Sequence, residues 1–398
     1  MSWEENKLSS LCFKITDGTH DSPKSVSNGF PYIKGTQVKN GLIDFDNCEY
    51  LNEKDHLKVI SRSKPEKGDI LFANIGANIG ECAYVNVDFE FSIKNVALFK
   101  PDTEYLNGKF LYYLLSSDLT QRDIKNRKSG SAQPFLSLKL LRNYKIQYPP
   151  LETQKRIADI LSSYDDLIEN NLKRIKLLEQ AAQNIYKEWF VNMRFPGHEN
   201  TPINPETGLP EGWKKTSVTH YFDFIRGIEV GSKNYLKKQS ANTIPFIRVG
   251  SLGSRDTDIF TNISLVKDKI LSFSDVCISM DGSIGLVGYG LMGAYSTGIR
   301  KVSPKIEKYG NGFIFCLLKS QDIQDTIKAY AKGSTILHAS SSIIHMTFND
   351  SPIKISNQFN DIVEPMYNKM LNLLKQNNQL KSARDILLPR LMNQTIEV

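Results

Sequence analysis

The pentapeptide Gly76-Ala77-Asn78-Ile79-Gly80 is glycine-rich, as loops that cradle phosphates are, but no Lys-Ser/Thr pair follows it. It therefore lacks the lysine that reaches a terminal phosphate and the hydroxyl that holds magnesium. Turns and tight strand packing account for these glycines, and ATP-driven chemistry is disfavoured. Pro101-Asp102 followed by Asp123-Ile124-Lys125 formally matches a P-D…D-x-K pattern, two carboxylates and a lysine around magnesium. The stretch 110–116 between them reads as a helix where that pattern needs a strand hairpin. Transfer of a methyl group to adenine needs an N/D-P-P-Y/F tetrad, yet Pro149-Pro150 is flanked by Tyr148 and Leu151. The histidines His20, His56, His198, His220, His338 and His345 show no HxxxH or HExxH spacing, and no G-x-S-x-G elbow is present. The cysteines Cys12, Cys48, Cys82, Cys277 and Cys316 form no CxxC pair. Neither a metal site nor a disulfide framework is indicated. The expectation is no catalytic residue, no metal ligand and no cofactor bound by this chain.

What does recur is a basic residue beside Gly, Ser or Thr in loops. Lys34-Gly35-Thr36 and Arg248-Val249-Gly250-Ser251 form one matched set; Lys128 with Gly130-Ser131 and Lys332-Gly333-Ser334 form another. Lysine and arginine neutralise phosphates, small residues let backbone N–H groups approach them, and polar side chains read base edges. Any one such residue, taken alone, reads more readily as a solvated surface charge. The case for nucleic acid rests on the same chemistry at matching places. Lys34, Thr36, Lys128, Gly130, Ser131, Arg248, Ser251, Lys332, Gly333 and Ser334 are thus candidate DNA contacts. A formal net charge of +7 over 398 residues favours polyanionic partners in the same sense.

The elements that must position these loops are written twice. Trp3 with Leu8 parallels Trp213 with Val218, and Pro31-Tyr32-Ile33-Lys34 parallels Pro245-Phe246-Ile247-Arg248. Asp69-Ile70-Leu71-Phe72 parallels Asp275-Val276-Cys277-Ile278, and Phe110 to Leu115 parallels Phe313 to Leu318. The order is kept throughout, which marks an internal repeat. In each copy, short apolar or alternating runs such as 69–72 and 95–99 read as strands between turns, with one helical insert at 109–116.

Each copy then changes character. Leu161, Ile168, Leu172, Ile175, Leu178, Ala182, Ile185 and Trp189 recur mostly three and four apart, along one face of a helix starting near Glu152 or Thr153 and stopping at Pro196-Gly197. Met366, Met370, Leu373, Asn377, Leu380, Arg384, Leu387 and Leu391 alternate four and three in the second copy. Asn377 in that seam is either a buried polar group that fixes register or a surface residue beside the true stripe. Neither seam can be buried against a small domain, so the two helices should pair. At ~1.5 Å per residue, residues 154–189 would form a rod roughly 50 Å long, longer than a ~34 Å turn of DNA.

At these helices the chain resembles a known family. Pro149-Pro150-Leu151-Glu152-x-Gln154-x-x-Ile157-Ala158-x-Ile160-Leu161 resembles the start of the helical region of type I restriction-modification DNA specificity subunits, and 384–392 is similar to its close. Leu209-Pro210-Glu211-Gly212-Trp213 and Ile15-Thr16-Asp17-Gly18-Thr19-His20 resemble the approaches to the family's two target-recognition domains. The second copy departs in places: Pro352-Ile353 stands for Pro149-Pro150-Leu151, and Ile336 occupies the place of Gln133, a further DNA-contact candidate in the first copy.

The resemblance implies an α+β chain with an internal pseudo-twofold repeat. Two mixed, mostly-β recognition domains (1–150, and 196–350 with its linker) would be separated by two long helices (151–195 and 351–398) forming an antiparallel coiled coil. It implies a non-catalytic protein that reads a bipartite site in double-stranded DNA. Two methylation subunits would dock on the helices, and restriction subunits through them, with S-adenosylmethionine, ATP and magnesium on those partners. Leu161, Ile168, Leu172, Ile175, Leu178, Ile185, Met370, Leu373, Asn377, Leu380, Leu387 and Leu391 are the expected pairing and docking positions. The competing reading is a coiled-coil protein-binding adaptor without sequence-specific DNA binding. No apolar run approaches the ~18 residues of a membrane span, and MSWEENKLSS carries no secretory pattern. A soluble cytoplasmic protein is expected.

Overall fold

A computed structural model describes residues 3–39, 41–76, 78–127, 135–255 and 257–398. The chain divides into two compact units, Met1–Ile168 with Leu380–Val398, and Glu169–Gln379.

In the first unit the apolar runs form an antiparallel four-stranded sheet in the order Cys12–Asp17, Ala97–Pro101, Ile70–Phe72, Cys82–Tyr84. The runs are short and apolar because the central strands are covered on both faces: Ile70, Leu71, Phe72, Leu98 and Phe99 are all fully buried. The expected helical insert forms as Gly108–Ser116, capped by Asn107, whose side chain accepts from Phe110 N at 3.0 Å. It packs Phe110, Leu111, Leu114 and Leu115 into the same core. A three-stranded sheet, Glu49–Leu51, Phe30–Lys34, Ser92–Lys94, has its last two strands parallel. Glu4–Lys7 closes against Lys145–Tyr148 just before the long helix begins.

The second unit has the corresponding strand orders. Phe222–Arg226, Ile299–Pro304, Val276–Ser279 and Val287–Gly288 form an antiparallel sheet. Thr243–Ile247 lies parallel to Gly293–Tyr295 in another, and Lys214–Ser217 closes on Thr347–Asp350. Its helical insert is Asn311–Lys319.

The long helices run Leu151–Tyr186 and Ile353–Met392, of 36 and 40 residues. The first starts one residue before the position read from the sequence, because the Pro150 carbonyl already accepts from Thr153 N and Gln154 N. Gln154 is fully buried and locks this start. Its amide donates to the Tyr105 and Pro149 carbonyls at 2.9 Å, and its oxygen accepts from Asn107 N at 2.9 Å. The helix does not run regularly to Pro196-Gly197. Residues Lys187–Val191 form a wider turn in which Asn192 N bonds Lys187 O at 2.8 Å, swinging Trp189 and Phe190 into the aromatic core.

Within each unit the helices lie antiparallel where they touch. Leu161 shares a core with Leu391, and Asp165 pairs with Arg384 in the first unit. In the second, Asn171 meets Asn377 and Tyr186 packs on Phe359. Leu172 is a correction to the sequence reading: it is 38% exposed, and Asn171 takes the buried position in its stead. From Ile168 the spacing of three and then four passes through Asn171 to Ile175, which leaves Leu172 off the seam.

Candidate nucleic-acid interface

Lys34 stands at the end of the strand Phe30–Lys34, in register with Lys94 on its parallel neighbour. Two ammonium groups are thus carried out of the same edge of one sheet. A tight turn at Gly35–Gln37 follows, held by Gln37, whose side-chain oxygen accepts from Lys34 N at 3.0 Å and from the Thr36 hydroxyl at 3.1 Å. Asn78 donates to the Gly35 carbonyl at 3.1 Å, so the Gly76–Gly80 loop buttresses this turn. Lys34 itself is occupied: it pairs with Glu49 and lies over the Tyr32 ring, 5.7 Å from its centre. The bonds from Lys34 and Ser25 hold the Glu49 carboxyl below its ordinary range.

In the second unit Arg248 directly follows the strand Thr243–Ile247, whose last two residues pair with a parallel neighbour. It is exposed, with its guanidinium over the Tyr235 ring at 5.5 Å, and makes no ion pair among the described residues. Its backbone N–H is held by the Ser251 hydroxyl at 3.4 Å. The short helix Val249–Ser254 ends at Arg255, in the left-handed region at φ 54. Arg255 reaches Glu179 of the long helix at 3.0 Å, where Lys319 and the Tyr289 hydroxyl also converge. Burial pushes that carboxyl up, but the three donors outweigh it and hold it below the usual range. Arg248 therefore projects from a turn anchored to the long helix.

Lys332, Gly333 and Ser334 occupy an exposed hairpin in which Lys332 and His338 exchange backbone bonds of 2.9 and 2.7 Å. Gly333 has φ 113, and a Cβ there would meet the Ile336 carbonyl at 2.1 Å, so only glycine fits. The hairpin is fixed to the sheet by Gly282 N to Leu337 O and by His338 to Asp281 at 2.7 Å. Lys128, Gly130, Ser131 and Gln133 lie outside the described residues. Sequence reasoning missed Lys94, Glu49 and Tyr235, whose places depend on pairing across long stretches of chain. Among the described residues no cluster of His, Cys, Asp or Glu is arranged to hold a metal. Asp123 of the nuclease-like pattern pairs with Arg127 on a helix, Asp118–Asn126.

Residues 2–180 match the family model of the type I restriction modification DNA specificity domain. The putative type I restriction enzyme MjaX specificity subunit of Methanocaldococcus jannaschii is 25% identical over 94% of this chain and 92% of its own length. The HindI specificity subunit of Haemophilus influenzae is 24% identical over 98% and 99%. The chain is thus similar to type I DNA specificity subunits over nearly its whole length. The fold is similar to that of a solved protein: a crystal structure of the type I restriction-modification system S subunit from M. genitalium, 17% identical, matches over 98% of this chain and 96% of its own with a TM-score of 0.57.

Of the expected pairing and docking positions, Leu161, Ile168, Ile175, Met370, Leu373, Asn377 and Leu391 are buried, while Leu178, Ile185, Leu380 and Leu387 are half-buried. Among the described residues no helix is long and apolar enough to cross a membrane.

Proposed function

We propose that this chain is the non-catalytic, DNA-reading subunit of a type I restriction-modification complex. Its recognition domains, 1–150 and 196–350, would each read one half of a bipartite duplex site. The observation that carries this reading is the placement of Lys34 and Arg248. Lys34 ends, and Arg248 directly follows, a strand that runs parallel to its neighbour, and each opens a tight turn of small and polar residues. One reading surface at the same topological point of each unit is what a split target requires.

The helices 151–195 and 351–398 would pair as an antiparallel coiled coil, completing a pseudo-twofold repeat, and their length would set the unread spacer. They would dock two methylation subunits, and restriction subunits through them. S-adenosylmethionine, ATP and magnesium belong to those partners on this reading, and the assembly works in the cytoplasm. The test is to express the chain with its methylation partner and map methylated adenines in the host DNA. One motif of two fixed halves around a constant gap is expected. Methylation without sequence preference overturns the reading. So does duplex affinity that is indifferent to salt, as a protein-binding adaptor would show, because phosphate contacts give a steep salt slope.

A further inference from the structure

At one corner of the second unit two arginines face each other across a β-ladder. Arg226, the last residue of Phe222–Arg226, is the direct partner of Arg300 on Ile299–Pro304. Directly opposed residues of an antiparallel pair project from the same face, and like charges so placed destabilise the ladder. Arg226 is exposed, whereas Arg300 is only 6% exposed. The Arg300 guanidinium is held in place by the Thr297 and Ile299 carbonyls and by the Ser340 hydroxyl at 2.7 Å. Burial disfavours its charge; Asp281 nearby offsets that, and Arg226 adds to it. Asp281 is already bonded to His338, and among the described residues neither arginine has an ion pair.

The corresponding corner of the first unit is built the opposite way. Asp17 ends the strand Cys12–Asp17 opposite Ala97, and Gly18 follows it as Gly227 follows Arg226. Asp17 is buried, paired with Arg62 and in contact with the His20 ring at 3.0 Å. So one unit closes this corner with its own ion pair, and the other sets two arginines opposite each other. The open corner lies against the Lys332–His338 hairpin, because Ala339 N bonds Met280 O and Arg300 bonds Ser340.

We propose that Arg226 and Arg300 form an anion site that takes a backbone phosphate of the duplex, fixing the register of the adjacent hairpin on its half-site. The proposal rests on the DNA-reading assignment and adds to it a phosphate contact that only the second unit possesses. A phosphate beside the pair offsets their repulsion and offers acceptors to the Arg226 fork and to the Arg300 N–H groups that Thr297, Ile299 and Ser340 leave over.

The test uses the full chain complexed with its methylation partner, a duplex carrying the mapped target and an unrelated duplex. Arg226→Gln is expected to weaken both duplexes alike, by roughly three- to tenfold, and to lower the salt slope by about one. Its melting temperature should equal or exceed that of the parent, since a like-charge pair has been removed. Arg300→Lys, which keeps the charge but loses the fork, should also weaken both duplexes. Parent affinity and slope in Arg226→Gln overturn the site. A loss confined to one base position also overturns it, because that is base reading. If the parent itself shows no preference for its target, the wider assignment fails, while a lowered slope in Arg226→Gln would still support the phosphate site.

Discussion

The side-chain amide of Asn171 donates to the side-chain oxygen of Asn377 at 2.9 Å, and both residues are buried between the long helices. A hydrogen-bonded amide pair in an apolar seam favours the one axial register that brings the two together. Replacing one asparagine by leucine removes this bond and leaves the other side chain one partner short in a buried seam, at a cost of about 1–3 kcal/mol. Replacing both restores an apolar seam and removes the register lock. Asn171→Leu and Asn377→Leu should each lower the melting temperature, and the double variant should be less destabilised than the sum of the two. Strictly additive losses would show that the amides do not act on each other.

This pair also shows how far the sequence could be read. Spacing aligns Asn377 with Leu373 and Leu380 but leaves open whether that stripe is the buried one; the structure buries it. The same reasoning chose Leu172 over Asn171, since an apolar residue fits a stripe better than an amide does. Only the partner helix decides otherwise, by presenting Asn377. The helix start at Pro149-Pro150 and the insert at Gly108–Ser116 were legible because they are local: prolines, a cap and a dense apolar run. The pairing of Lys34 with Lys94 and with Glu49 was not, because strand register is set by tertiary packing.

Glu49 neutralises Lys34 in the free protein, so a phosphate at Lys34 must compete with it. Glu49→Gln keeps a side chain that can bond Ser25 but removes the competing charge. Duplex affinity should rise by up to about fivefold, the equivalent of an exposed ion pair worth ~1 kcal/mol. Lys34→Ala should lower it and flatten the salt dependence by about one. Salt titrations of the two variants against the parent decide the matter, and equal slopes in all three would remove Lys34 from the interface.

The glycine that follows the first strand of each all-antiparallel four-stranded sheet has no room for a side chain. A Cβ on Gly18 would stand 2.2 Å from the Ile93 carbonyl, and one on Gly227 would stand 2.3 Å from the Tyr295 and Ser296 carbonyls. In both units the backbone passes directly over the parallel strand pair that presents Lys34 or Arg248. Gly18→Ala and Gly227→Ala should each destabilise their own unit by about 1–3 kcal/mol, the usual cost of forcing an atom into a packed site. Gly250→Ala, where no atom lies within 4 Å, is the control and should be tolerated. Thermal melting distinguishes them; equal behaviour of all three would contradict the packing argument.

Asp350 ties the last strand of the second unit to Tyr221 and to the Lys308-Tyr309 segment. Its carboxylate is buried and accepts from the Tyr309 hydroxyl at 2.7 Å, the Tyr221 hydroxyl and the Lys308 ammonium. Burial pushes this carboxyl up, but those three donors outweigh it and hold it below its ordinary value of 3.8. A carboxyl depressed in the folded state binds its proton more readily when unfolded. Its contribution is therefore complete above about pH 3.8 and is lost as the pH falls through the folded value. Asp350→Asn should cost roughly 1–3 kcal/mol at neutral pH, because Lys308 is left without its charge partner. The difference in melting temperature between parent and variant should narrow as the pH is lowered below about 3.8. A difference that stays constant from pH 7 to 3 would mean that Asp350 acts through shape and not through charge.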